Sequence, residues 1–171
     1  MRQHSAAIGL VPGARQIRIL LADPYPLILL GLQKMIQHEA RFHVVDHALS
    51  LRSFRKKMIV ERPEVALVDS SMAFQDIESI IRLLRSHRCK LTVVFLTASE
   101  VSPVQRAKLG LVHYEFIDKR CTALELRTAV WRAYKELACT GRPGPGRMLE
   151  HAIETGRGGT YLRLAPDSIE S

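Results

Sequence analysis

Five short runs of apolar, β-favouring residues alternate with segments of helical periodicity, and this alternation constrains the fold more than any other feature. The apolar runs are Ile17–Ala22, Phe42–Val45, Val65–Val68, Leu91–Leu96 and Tyr114–Ile117. Helical periodicity follows each run, over residues 27–36, 49–60, 77–87, 103–109 and 122–138. Because strands that are apolar on both faces need helices on both sides, the pattern predicts a covered parallel sheet.

The sequence therefore predicts an α/β domain with a doubly wound, five-stranded parallel sheet of the flavodoxin-like type. This domain is expected to span residues 17–138 of the 171-residue chain. Residues 1–16 carry glycine and proline without periodicity and are predicted to form a flexible lead. Residues 139–171 open with the linker Gly141–Gly146 and are predicted to be a disordered tail, too short for a second domain.

Composition excludes several other classes of protein. Apolar residues make up 47% and charged residues 25% of the chain, which is typical of a globular protein. The longest apolar stretch, Leu27–Leu32, is far shorter than the roughly 20 residues of a membrane-spanning helix. Three cysteines without CxxC spacing argue against a disulfide framework or a cysteine zinc site. We expect a cytoplasmic protein with no membrane segment.

The chain carries a net charge of +8, most of it within the predicted domain. Arg52, Arg55, Lys56 and Lys57 form a basic edge on the second predicted helix. A dense basic stripe with interleaved aromatic residues would predict nucleic-acid binding, and the sequence has none. A solvated face is the favoured interpretation, a dock for an acidic partner is the alternative, and direct DNA binding is not expected.

Polar side chains follow four of the predicted strands. They are Asp23, Asp69, Thr97 and Lys119. Because ligands bind beyond the carboxyl ends of the strands in an open α/β sheet, we expect these residues to converge on one rim. Two carboxylates, a hydroxyl and an ammonium suit a carboxylate nucleophile that accepts a phosphoryl group, with a cation between acids and phosphate. Each residue alone also fits a helix cap or simple packing.

The segments around these four residues resemble the response-regulator receiver domain of two-component signalling, within it the NarL/FixJ (LuxR-type) class. The matching segments are I-R-I-L-L-A-D-P-Y-P-L-I-L-L-G-L (17–32), R-P-E-V-A-L-V-D-S-S-M (62–72), V-V-F-L-T-A (93–98) and F-I-D-K (116–119). The resemblance covers about Ile17 to Ala138 and implies the (βα)5 fold of the CheY type.

The resemblance implies a role for each rim residue. Asp69 stands at the phosphoacceptor position, Thr97 at the switch hydroxyl and Lys119 at the phosphate-pairing lysine. Mg²⁺ would be held by Asp23, Asp69 and the backbone carbonyl of Ser71. Such a domain is not an enzyme in the usual sense, since its chemistry is limited to self-catalysed phosphoryl transfer and hydrolysis.

The same resemblance implies partners. A histidine kinase or phosphotransfer protein would donate the phosphoryl group, and transcriptional regulation is a common output. Relatives often form homodimers through the face made by helix 4, strand 5 and helix 5, which are residues 103–109, 114–117 and 122–138 here. The 33 residues after Ala138 cannot hold the several helices of a DNA-binding helix-turn-helix.

Several positions depart from the pattern of this class. Pro24 stands where the class has a second acid, one that usually ligates Mg²⁺ directly. Losing that charge is expected to weaken Mg²⁺ binding about 10-fold. Ala73 and Ile77 replace the usual proline and glycine beside Asp69, and Phe116 is an aromatic switch residue without a hydroxyl.

The first predicted helix is apolar nearly all round, because Leu29 and Leu30 stand where relatives carry charged residues. Such a helix is expected to be covered, either by a partner protein or by the chain's own ends.

These departures leave two alternatives to a phosphorylated receiver. One is a degenerate pseudo-receiver that acts as a phosphorylation-independent interaction module, which Pro24 and the apolar first helix favour. The other is a truncated or atypical DNA-binding transcriptional regulator. Only the net charge of +8 supports this alternative.

Overall fold

The computed structural model describes residues 15–86, 91–109 and 114–140, which form five strands and six helices. In chain order these are β1 Ile17–Ala22, α1 Pro26–Ile36, β2 Phe42–Ala48, α2 Leu51–Glu61, β3 Val65–Asp69, α3 Ser70–Phe74, α4 Ile77–Ser86, β4 Thr92–Thr97, α5 Pro103–Leu109, β5 Tyr114–Asp118 and α6 Ala123–Thr140. Residues 1–14 of the predicted lead and residues 141–171 of the predicted tail lie outside the described residues.

The five strands form one parallel sheet in the order β2-β1-β3-β4-β5. This is the strand order of the flavodoxin-like doubly wound fold, in which the order of the strands reverses between β1 and β3. The predicted fold class is therefore confirmed.

Two apolar layers cover the sheet because successive strand residues point to opposite faces. On β1, Leu20 and Ala22 face the layer beneath α2, α3, α4 and α5, whereas Ile19 and Leu21 face the layer beneath α1 and α6. All four residues are fully buried. Strands that are apolar on both faces thus have the helical cover that their composition requires.

Helix α1 shows which of its apolar residues belong to the core. Leu29, Leu32 and Ile36 are buried against the sheet, at the spacing of one helical face. The interpretation of Leu29 as part of a partner surface is wrong, because this side chain is only 4% exposed. Leu30 points the other way and is 54% exposed. The exposed apolar side chains of this helix are Leu27, Ile28 and Leu30.

Strand β2 and helix α3 depart from the sequence prediction. Strand β2 continues past Val45 to Ala48, because Asp46, His47 and Ala48 pair with Leu20, Leu21 and Ala22 of β1. Helix α3 was not predicted, because five residues are too few to show apolar periodicity. The predicted helices 4 and 5 consequently correspond to α5 and α6.

Helix α2 has well-defined ends. Ser50 and Ser53 form a reciprocal cap, with each backbone N–H donating to the other's side-chain oxygen at 3.2 Å. The helix ends at Glu61, and its C-cap residue, Arg62, adopts a left-handed conformation with φ of 46° before Pro63. On this helix, Arg55 pairs with Asp76, so the predicted basic edge is partly neutralised.

None of the helices within the described residues combines the length and the apolar character needed to cross a bilayer.

Candidate functional site

The carboxyl ends of the strands bring the predicted rim residues together. Asp23 directly follows β1, Asp69 is the last residue of β3, Thr97 is the last residue of β4, and Lys119 directly follows β5. The parallel register aligns these ends, since Ala22 pairs with Val68, Asp69 with Leu96 and Thr97 with Asp118. The expected convergence on one edge of the sheet is therefore observed.

The Lys119 ammonium lies between the two carboxylates of this edge. Its Nζ is 2.7 Å from Asp23 Oδ2 and 2.8 Å from Asp69 Oδ2. The Asp23 side chain is fully buried, that of Asp69 is 6% exposed and that of Lys119 is 21% exposed. Because buried charges need partners, the two ion pairs explain how two acids can be buried side by side.

The remaining oxygens of the two carboxylates accept backbone hydrogen bonds. Asp23 Oδ1 accepts from the Tyr25 N–H at 2.9 Å, the first N–H available because Pro24 has none. Asp69 Oδ1 accepts from the Met72 N–H at 2.7 Å and from the Ser71 hydroxyl at 2.5 Å. The Asp69 side chain is thus also the N-terminal cap of α3.

These contacts set the protonation state of the site. Burial raises the pKa of the Asp69 carboxyl, but hydrogen bonds from Lys119, Ser71 and Met72 outweigh burial and hold the pKa below its ordinary value. Burial lowers the pKa of Lys119, but its bonds to Asp23 and Asp69 outweigh burial and hold the pKa above its ordinary value. At neutral pH Asp69 is a carboxylate, the form that can act as a nucleophile.

Thr97 lies at the same edge, but its hydroxyl is bonded within its own loop. Thr97 Oγ1 donates to the Ser99 carbonyl and accepts from the Ser99 N–H at 3.3 Å. The Thr97 carbonyl accepts from the Lys119 N–H at 2.8 Å, which joins β4 to the lysine at the end of β5.

The donor set fits Mg²⁺ in kind. Mg²⁺ is commonly held by one or two carboxylates together with waters, and the edge supplies the Asp23 and Asp69 carboxylates. The third expected ligand, the Ser71 carbonyl, belongs to helix α3. Within the described residues, no three His, Cys, Asp or Glu side chains are grouped to hold a metal. Lys119 already bonds one oxygen of each carboxylate.

The geometry adds contacts that the sequence patterns did not reveal. The Ser71 hydroxyl, the Tyr25 N–H and the Phe74 ring have no periodicity or spacing that marks them. Phe74 stacks on Phe95 with ring centres 5.8 Å apart, and Phe95 lies 5.3 Å from Phe116, the predicted switch aromatic. Only the folding of α3 against the sheet brings Phe74 to that position.

Comparison with solved structures identifies the fold that carries this site. The receiver domain of the response regulator NarL from Mycobacterium tuberculosis superposes with a TM-score of 0.63 and 23% sequence identity, covering 71% of this chain and 98% of that chain. The chain has the fold of a response-regulator receiver domain. The receiver fold also matches the REC domain of AraT from Geobacillus stearothermophilus, with a TM-score of 0.57, 24% identity, and coverage of 74% of this chain and 98% of that chain.

A third receiver-fold match is the REC domain of RcsB from Salmonella enterica serovar Typhimurium, solved with the phosphomimetic BeF3⁻. It has a TM-score of 0.56 and 17% identity, and it covers 72% of this chain and 99% of that chain. A scan against protein-family models and a search of curated proteins each returned no match. The resemblance based on four short segments is thus confirmed at the level of the fold.

Proposed function

We propose that this chain is a response-regulator receiver module whose Asp69 accepts a phosphoryl group from a histidine kinase or a phosphotransfer protein. The contact that carries this proposal is the Lys119 ammonium held 2.8 Å from Asp69 Oδ2 and 2.7 Å from Asp23 Oδ2. This contact combines an ionised carboxylate with a cation that can bind the incoming phosphoryl oxygens.

In the transfer step, one Asp69 carboxylate oxygen forms a bond to the phosphorus of the donor. The bond between phosphorus and the donor's imidazole nitrogen breaks at the same time, and its electron pair stays on that nitrogen. The product is an acyl phosphate on Asp69 and an imidazole that takes a proton from solvent. Water reverses the modification when it attacks phosphorus and the Asp69 carboxylate leaves.

Two side chains bind the oxygens of the transferred phosphoryl group. Lys119 releases one carboxylate oxygen and pairs with the phosphoryl oxygens, so its positive charge remains compensated throughout. Thr97 can turn its hydroxyl from Ser99 to a phosphoryl oxygen, which carries the change at Asp69 to the β4–α5 loop. Mg²⁺, when bound to Asp23, Asp69 and the Ser71 carbonyl, would supply charge neutralisation for the phosphoryl oxygens.

The proposal includes a cytoplasmic location and a readout through protein contacts. The face formed by α5, β5 and α6 is the proposed homodimer surface, in line with the family resemblance. The regulated output, including any link to transcription, would pass through such contacts.

The test is phosphorylation with acetyl phosphate and Mg²⁺, followed by intact-mass measurement. We expect the wild-type chain to gain one phosphoryl group and the Asp69→Ala variant to gain none. Asp118→Ala is the matched control, because Asp118 is another acid at the same sheet edge, paired with Arg120. It should gain the group as the wild type does. A wild-type chain that gains nothing, or an Asp69→Ala variant that still gains it, would refute the assignment.

A receiver-like interaction module without phosphoryl chemistry is the second candidate. The observation in its favour is Asp23, which is fully buried, bonded to Tyr25 through Oδ1 and to Lys119 through Oδ2, and followed by Pro24 in place of an acid. A folded wild-type chain that shows no mass gain at saturating Mg²⁺ would favour this second candidate.

A further inference from the structure

A cluster of stacked rings connects the turn after Asp69 to the α5–β5 edge of the domain. Phe74 lies 5.8 Å from Phe95 and 6.5 Å from Phe116 between ring centres, with both pairs stacked. The Arg106 guanidinium on α5 lies over the Phe116 ring at 5.1 Å. Contacts of this kind stabilise a structure beyond the burial of the rings. The cluster therefore forms a continuous packed path from α3 to α5.

Helix α3 joins this path to the Asp69 side chain. Asp69 caps the first turn through the Met72 N–H at 2.7 Å, and Phe74 is the last residue of the same helix. A helix of five residues makes few backbone hydrogen bonds of its own, so its cap and its packing hold it in place. A change at the cap is thus transmitted to the ring at the other end of the helix.

We propose that Phe74 couples the chemical state of the Asp69 side chain to the α5–β5 edge. A phosphoryl group on Asp69 removes the carboxylate charge from the α3 cap, and a neutral acceptor holds the Met72 N–H less strongly than a charged one. Helix α3 then shifts, and Phe116 and Arg106 lose the support of the Phe74 ring. The phosphoryl case rests on the proposed function, whereas loss of the cap by substitution does not.

Lys119 offers a different route from Asp69 to β5, because it bonds Asp69 directly and its N–H donates to the Thr97 carbonyl. The variant Asp69→Asn separates the two routes. It removes the charge that faces Lys119 but keeps an oxygen that can accept from Met72. Coupling through Phe74 predicts that Asp69→Asn disturbs α5 less than Asp69→Ala does.

The experiment is hydrogen–deuterium exchange of peptides covering Pro103–Leu109 in the full chain, without any phosphodonor. We expect Asp69→Ala to raise the exchange rate of α5 about threefold, in the range of couplings between linked sites. In the Phe74→Leu background, Asp69→Ala should change this rate by less than half as much. Phe74→Tyr keeps the ring and should restore the full response.

Tyr134→Leu is the matched control, because it removes a ring that packs on the opposite face of the sheet. In that background, the response of α5 to Asp69→Ala should equal the wild-type response. Equal responses with and without the Phe74 ring would overturn the proposal. An α5 helix that does not respond to Asp69→Ala at all would overturn it too.

A second arm adds acetyl phosphate and reads intact mass and exchange on the same samples. If the proposed function is wrong, no variant gains mass. The exchange experiment without a phosphodonor then still decides whether Phe74 couples Asp69 to α5. Mass gain without a Phe74-dependent response of α5 would overturn the coupling while leaving Asp69 as the acceptor.

Discussion

The Lys119 ammonium bonds a completely buried carboxylate, that of Asp23, at 2.7 Å. The same ammonium reaches Asp69 at 2.8 Å, so a single cation compensates two acids in the interior of the rim. The stability of this edge therefore depends on one side chain.

Replacing that lysine should be costly. The variant Lys119→Met leaves both carboxylates buried without a cation, and breaking such a pair costs about 3–5 kcal/mol of unfolding free energy. Urea unfolding at pH 7 would measure the loss. The control Lys56→Met removes an exposed lysine of α2 and should stay within about 0.5 kcal/mol of wild type. A Lys119→Met variant as stable as this control would contradict the structural role assigned to the ion pairs.

Stability should fall at acid pH because of Asp69. Its folded-state pKa lies below its ordinary value, so Asp69 contributes stability that is present above the unfolded pKa of about 3.9 and is lost as pH falls through the lower folded pKa. Urea unfolding between pH 5 and pH 2 should therefore show a weaker pH dependence in Asp69→Asn than in wild type. Identical slopes would show that Asp69 is not stabilised in its charged form.

Pro24→Asp should strengthen divalent-cation binding. An added carboxylate next to Asp23 supplies the missing negative charge, and we expect Mg²⁺ to bind about 10-fold more tightly than in wild type. Titration calorimetry with Mg²⁺ alone measures the affinity. Pro24→Asn is the matched control, since it restores the backbone N–H without the charge and should leave the affinity near the wild-type value. Equal gains in both variants would assign the effect to the backbone.

Truncation of two neighbouring leucines of α1 should change stability by very different amounts. Leu29 is 4% exposed and packs on the sheet, so Leu29→Ala should cost about 2–5 kcal/mol of unfolding free energy. Leu30 is 54% exposed, and Leu30→Ala should change stability by about 0.5 kcal/mol or less. Chemical denaturation of the two variants side by side makes the comparison. Similar losses in both would mean that α1 has a different rotation about its axis.

Arg62→Gly should stabilise the chain. Arg62 has a φ of 46°, a left-handed conformation that costs a non-glycine residue about 1–2 kcal/mol. Glycine avoids this strain but gains freedom in the unfolded chain, so the net increase should be about 0.5–1 kcal/mol. The midpoint of urea unfolding should rise accordingly. Arg52→Gly, which places glycine inside helix α2, is the control and should lower the midpoint of urea unfolding.

Much of the fold could be predicted from local patterns. The ends of β1 and α5 match the structure, because Pro24 and the Ser102-Pro103 pair mark these boundaries in the chain itself. Helix α3 could not be predicted, since its cap and its stacking on the sheet both depend on β3 being in place.

The sequence by itself determined the five-stranded parallel sheet and the set of polar residues at its carboxyl edge, because strand polarity and helical spacing are local properties of the chain. Only the tertiary structure decided that Lys119 lies between Asp23 and Asp69, that Leu29 rather than Leu30 is buried, and that Phe74 contacts Phe116. These contacts join residues distant in sequence or depend on helix rotation, and packing against the sheet selects among arrangements that local patterns leave equivalent.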